Sequence, residues 1–258
     1  MKAPRPPLRL CRASARGVWL AAGLCLAGAA AAQDRAAGCD DLQASYGAPT
    51  DRYPHGVLGD DLEWGALSVT CGPRQLTAQL PETLVFEDVA PRLAQLDGQG
   101  PAEIIVVESH RDKGARLAVW ALTDDTLQRI ASTPFIGTRF RWLAPLGAAD
   151  LDGDGRMEIA YVDRPHLAKV LRVWRFTEDE TLTEVASLQG VTNHRIGERD
   201  IAGGLRDCGQ GPEIILADAT WRQVVSVRLS GQTLTATPLG PHQDRTSFTR
   251  ALACHPLP

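Results

Sequence analysis

Residues 148–163 read AADLDGDGRMEIAYVD: four acids, Asp150, Asp152, Asp154 and Glu158, crowd around Gly153 and Gly155, and the apolar run Ile159–Val162 follows at once. The same order recurs on either side. LDGQGPAEIIVVES begins at Leu96 and RDCGQGPEIILADA at Arg206. Asp97, Asp152 and Asp207 are evenly spaced (152 − 97 = 55 and 207 − 152 = 55), and Glu103, Glu158 and Glu213 keep that interval. After each Glu come strand-like residues, IIVV, IAYV and IILA. A second such segment follows (ARLAVWAL, KVLRVWRF, QVVSVRLS), then a third (TLQRIAST, TLTEVASL, TLTATPLG). An extended segment such as RFRWLAPLGA precedes each Asp. Each unit therefore reads as four short strands.

A lone four-stranded sheet leaves both faces wet, and tandem repetition buries them against neighbours. The sequence predicts an all-β protein, a β-propeller of four-stranded antiparallel blades, with a β-sandwich as the competing architecture. A weaker unit, RYPHGVLGDD, WGALSVTC, RQLTAQL and ETLVFED, precedes the clear repeats. SFTRALAC near the C-terminus reads as an orphan first strand, so blade number stays open between four and five.

Counting Asp150 as position one, side chains at one, three, five and nine and the carbonyl at seven can converge on a hard cation; oxygen-only ligation of this type suits calcium. An EF-hand is excluded, because Tyr161 stands at position twelve and strand-like sequence flanks the loop. DLDGDGRMEIAYV resembles the calcium loops of FG-GAP/VCBS-type repeats, found in integrin α-subunit propellers and exported bacterial proteins. The resemblance runs from about Tyr53 to the C-terminus, though one unit alone carries the full motif. It implies one structural calcium held by Asp150, Asp152, Asp154, Glu158 and the Arg156 carbonyl, in a loop between the first and second strands of a blade. The matching loops at Asp97/Glu103 and Asp207/Glu213 keep two acids each and read as turns.

The first 32 residues have a basic start, the apolar run GVWLAAGLCLAGAAAA and small residues before Gln33, the pattern of a secretory leader. The expected organisation is a leader at 1–32, a lead-in at 33–50 and a single repeat domain at 51–258. Five of the 27 basic residues and none of the 31 acidic ones lie in the leader, leaving 22 against 31. An acidic exported chain is a poor non-specific binder of nucleic acid. No later run is long enough for stable membrane insertion, and the destination is periplasmic or extracellular. Cys39, Cys71, Cys208 and Cys254 remain beyond the leader; an even number in an exported chain favours disulfides. The strand assignment puts Cys208 and Cys254 near one rim, which leaves Cys39 to pair with Cys71.

Loops after the second and fourth strands share the other rim. They gather Arg139, Arg141, His166, Asn193, His194 and Arg195 as candidate ligand-binding residues, with Trp142 and Trp221 as flat apolar surface. Guanidinium groups there suit carboxylate or phosphate. The function this implies is a binding or scaffolding module for a protein or an acidic glycan. The alternative is a propeller hydrolase or lyase acting on an anionic substrate through His166 or His194. No Gly-x-Ser-x-Gly elbow or His-x-x-x-His pair occurs, and no catalytic residue is assigned.

Overall fold

The computed structural model describes Cys39, residues 41–123 and residues 126–258. The leader assigned from the sequence lies outside the described residues. Among the described residues no helix is long and apolar enough to cross a membrane.

The chain is all-β, with its strands in antiparallel sheets and a short helix near the C-terminus. In the middle repeat, β9 (Leu143–Ala149), β10 (Glu158–Asp163), β11 (Val170–Phe176) and β12 (Leu182–Gln189) form one four-stranded meander. The repeats on either side are built alike, with the first strand broken in two. β4 (Leu84–Phe86) and β5 (Arg92–Ala94) share an edge of β6 (Glu103–His110), followed by β7 (Gly114–Thr123) and β8 (Thr126–Ser132). β13 (Val191–Thr192) and β14 (Gly204–Asp207) share an edge of β15 (Pro212–Asp218), followed by β16 (Gln223–Ser230) and β17 (Thr233–Pro241).

The N-terminal unit differs from the sequence reading. Its first strand is β1 (Gln43–Thr50), inside the segment set apart as a lead-in, and it pairs along β2 (Glu63–Cys71). RYPHGVLGDD is a string of turns, not a strand. β3 (Arg74–Gln79) pairs the other edge of β2, and ETLVFED supplies β4, which joins the next repeat. The Trp64–Phe86 pairing fuses this unit to the first clear repeat, giving one sheet of eight strands. SFTRALAC is not a strand either: its first six residues lie in a helix, α1 (Arg245–Leu252), and Ala253 and Cys254 follow its end. Asp244 caps it by accepting from the Thr246 amide, while Phe248 and Ala251, three apart, bury one face.

Both faces of the central strands are buried, as the near-continuous apolar runs require. Ile105, Val107, Leu117 and Val119 pack toward Leu143, Ile159 and Tyr161 of the middle sheet. Its opposite face offers Ala160, Val162, Leu171 and Val173 to Ile214, Leu216, Val225 and Val227. Ile104, Val106 and Trp120 face Leu67, Val69 and Phe86. On the far side of the third repeat, Ile215, Ala217 and Val224 receive Phe248 and Ala251 of α1. The sheets thus stack in chain order. Disulfides join Cys39 to Cys71 and Cys208 to Cys254, the second tying the end of α1 to the β14–β15 turn. Two disulfides fit an oxidising, exported compartment.

Candidate functional site

The loops at one end of the stack build a cluster of rings and cations. Segment 138–141 is held against the start of β7: the Ala115 amide donates to the Arg141 carbonyl at 2.8 Å. Gly114 makes this approach possible, since a Cβ there would lie 2.2 Å from the Thr138 carbonyl oxygen. Phe140, at φ 56°, donates its amide to the Tyr53 hydroxyl at 2.9 Å. Its ring stacks on His55 with centroids 5.0 Å apart, and the Arg139 guanidinium lies 4.4 Å from its centroid.

Behind His55 is a buried carboxylate. Nδ1 of His55 lies 2.5 Å from Glu87 Oε1, and the Ser109 hydroxyl donates to Glu87 Oε2. Burial pushes the Glu87 carboxyl above its usual range, with His55 and Ser109 opposing. Glu63, close by on β2, is pushed up to about 10 by burial and then by Glu87 and other acids. Trp142 donates its indole N–H to the Glu87 carbonyl at 2.8 Å.

A second imidazole chain runs beneath Trp142. His194 Nε2 lies 2.9 Å from the Glu198 carbonyl, and His194 Nδ1 lies 2.9 Å from His166 Nε2. A carbonyl only accepts, so His194 carries its proton on Nε2. The neutral ring then accepts at Nδ1, and His166 donates from Nε2. This leaves the His166 Nδ1 lone pair bare. Burial, then His194 and His55, lowers His166 to about 4, which keeps that ring neutral at ordinary pH.

His55, Phe140, Arg141, Trp142, Arg164 and His166, with Pro165 and Leu167, line a small pocket of about 30 Å³ that is open to solvent. Arg164 is committed to Asp163 through two contacts, at 2.8 and 3.0 Å. Arg141 donates to the Phe140 carbonyl at 3.0 Å and has no ion-pair partner among the described residues; the same holds for Arg139.

Of the ligand residues expected from the sequence, Arg141 and His166 line this cavity, and Arg139 lies beside it over the Phe140 ring. Asn193 and His194 do not present themselves to a ligand: both are buried, and the Asn193 amide donates to the Ala144 carbonyl. They sit inside because the segment after β13 turns under Trp142. Arg195 lies 4.2 Å from the Trp221 centroid, on the same rim but outside the cavity. His55, Glu87 and Phe140 were missed. A histidine and a glutamate 32 positions apart give no local signal; His55 precedes β2 and Glu87 follows β4, and these two strands pair at Trp64–Phe86.

The acidic loop lies at the opposite end, between β9 and β10. Oxygens of Asp150, Asp152 and Glu158 lie within 4.8 Å of one another. Most are already satisfied by protein donors. Asp150 accepts from the amides of Gly153, Asp154 and Gly155 at 2.8–3.0 Å. Glu158 Oε2 accepts from the Leu151 amide at 2.8 Å, as Glu103 does from Leu96 in the preceding repeat at 2.6 Å. Arg175, opposite Glu158 in β11, reaches Glu158 Oε1 at 2.6 Å, Asp152 Oδ2 at 2.8 Å and Asp154 Oδ2 at 3.2 Å. Arg156 turns its side chain onto Asp154 at 2.6 Å. Asp152 Oδ1 is buried without a partner. Calcium takes six to eight oxygens. Asp150, Asp152 and Glu158 could hold a metal ion, and Arg175 bonds to oxygens of Asp152 and Glu158 that such an ion would use.

No family model matches the chain, and no curated protein does. Among solved structures it is similar to a hypothetical selenium-binding protein from Sulfolobus tokodaii, with 12% identity and a TM-score of 0.45, over 78% of this chain and 54% of that one. The chain thus spans about half the length of that structure.

Proposed function

We propose that the protein is an exported binding module of FG-GAP/VCBS-like propeller repeats, whose Arg/His rim captures an acidic group on a protein or glycan. The propeller reading is supported by sheets stacked in chain order with both faces buried. The binding reading rests on one observation: Arg141 and Arg139, without carboxylate partners, flank a ring-lined cavity at which His55 and His166 also stand.

The size of the cavity favours binding over turnover. Sites that engulf a small molecule are typically about 300–1,000 Å³. About 30 Å³ takes the tip of a carboxylate or sulfate whose remainder stays outside. A charge-assisted hydrogen bond contributes about 1.5–3 kcal/mol. Replacing both Arg139 and Arg141 by Ala is therefore expected to weaken capture on immobilised polygalacturonate or heparin tenfold or more, with unchanged melting temperature. Wild-type protein that fails to bind either polyanion above an agarose control, or a double variant that binds equally well, overturns this reading.

The hydrolase or lyase alternative is favoured by a different observation. A histidine backed by a buried carboxylate, as His55 is by Glu87, is the arrangement of a general base. Turnover of an anionic polymer by the wild type, lost in His55→Gln, would select it.

A further inference from the structure

Four acids in nine residues need a counter-charge, because neighbouring carboxylates without one repel each other and take up protons instead. In the Asp150–Glu158 loop that charge comes from within the chain. The Arg175 side chain is 14% exposed and touches three of the four acids, one atom set replacing what a bound cation would contact. The turn itself needs no ion. Its curl is made by three amides converging on Asp150, with Gly153 and Gly155 at φ 77° and 86°.

We propose that the Arg175 guanidinium is the resident counter-ion of this loop and excludes a divalent cation from it. The third repeat supplies an independent parallel. There Glu213, at the position matching Glu158, is met by Arg206 at 2.7 Å and by Arg228 of β16 at 3.2 Å. In the first repeat Glu108, fully buried, is met by Arg116 and Arg129. Guanidinium compensation of a buried strand carboxylate is thus used in other repeats of this fold.

The oxygen set underneath is still that of a hard-cation site. Withdrawing Arg175 frees Glu158 Oε1 and Asp152 Oδ2 and leaves Asp154 Oδ2 to the exposed Arg156 alone. The freed oxygens would join Asp152 Oδ1, which is unpartnered on a side chain already nine-tenths buried. A dication entering without that withdrawal would face a guanidinium bonded to the very oxygens it needs. A monovalent fork and a divalent ion therefore compete for one place, and the covalently tethered one has the higher local concentration.

The test is calcium itself, on wild type and on Arg175→Met, which keeps the apolar stem. After exhaustive chelation, calcium is expected to leave the wild-type melting temperature unchanged. Arg175→Met is expected to melt lower without metal and to rise saturably with calcium, by about 5–10 °C at a hundredfold excess over Kd. Radioactive calcium retained stoichiometrically by the wild type through gel filtration would overturn the proposal without any variant. So would a wild-type thermal shift equal to that of Arg175→Met, or an Arg175→Met protein that ignores calcium. If Arg175→Met does not fold, Arg175→Gln takes its place in the same comparison.

Discussion

Replacing Cys208 and Cys254 together by Ser removes a cross-link without removing the contacts around it. Helix α1 would still seat Phe248 and Ala251 against Ile215, Ala217 and Val224, and Arg206 would still donate to the Ala251 carbonyl. The loss falls mainly on the unfolded chain, which is released from a closed loop. For the sequence separation of 46 residues the chain-entropy relation gives about 4 kcal/mol at 25 °C. A domain of this size loses about 2–4 °C of melting temperature per kcal/mol. The double variant is therefore expected to melt about 8–16 °C below wild type by calorimetry under non-reducing conditions. Reductant should bring the wild type down further, because the Cys39–Cys71 loop, 32 residues long, contributes about 3.7 kcal/mol on the same relation. A double variant melting within about 2 °C of wild type would refute the reasoning, since that is less than the shift from a single kcal/mol. It would mean that the C-terminal segment is held by α1 packing alone.

Glu63 predicts a pH effect. Its carboxyl rises from 4.5 unfolded to about 10 folded, so the folded state keeps a proton the unfolded state gives up, and stability falls as pH climbs through that window. Glu63→Gln is expected to have no advantage near pH 4.5 and a growing one toward pH 9, read as urea midpoints; parallel curves for the two proteins would count against it. Gly114→Ala forces a Cβ against the Thr138 and Arg141 carbonyl oxygens at φ 71° and is expected to cost about 1–3 kcal/mol. Because that contact holds the turn carrying Arg139 and Arg141, polyanion capture should weaken in the same protein, and undiminished capture would separate the turn from the site.

The repeat was legible because each unit spells its own strands: an acid-glycine turn, a run such as IIVV, then two β-rich segments at a fixed interval. The middle repeat is a four-stranded meander with its acidic loop where that pattern put it. What escaped was set by partners far away in sequence. β1 carries QASYGAPT, weakly apolar, and is a strand because β2 offers it a long edge. SFTRALAC has alternation enough for a strand, yet Asp244 caps a helix and the third sheet rewards the spacing of Phe248 and Ala251. Arg175 becomes the partner of Glu158 only through the β10–β11 register, which places two residues 17 positions apart side by side.

Backbone conformation separates the two ends of the stack. At the acidic-loop end most left-handed positions in the turns are filled by glycine, Gly98, Gly100, Gly153, Gly155, Gly209 and Gly211, with Glu180 as an exception. Glycine takes that conformation without a steric penalty. At the other end glycines such as Gly114, Gly137, Gly190 and Gly197 also do so, but Phe140, Arg164, Lys169 and Trp221 hold positive φ with full side chains. Each such residue costs about 1–3 kcal/mol relative to a relaxed backbone. Glycine would relieve the strain at any of them, but glycine at 140 would also remove the ring on which His55 and Arg139 stack, and glycine at 221 the ring beneath Arg195. A turn that only needs to reverse the chain has no use for those side chains. Strain kept together with aromatic and basic groups is accounted for when the groups themselves are used. On the proposed reading that use is capture of an acidic group at the rim, with the acidic loop as reinforcement.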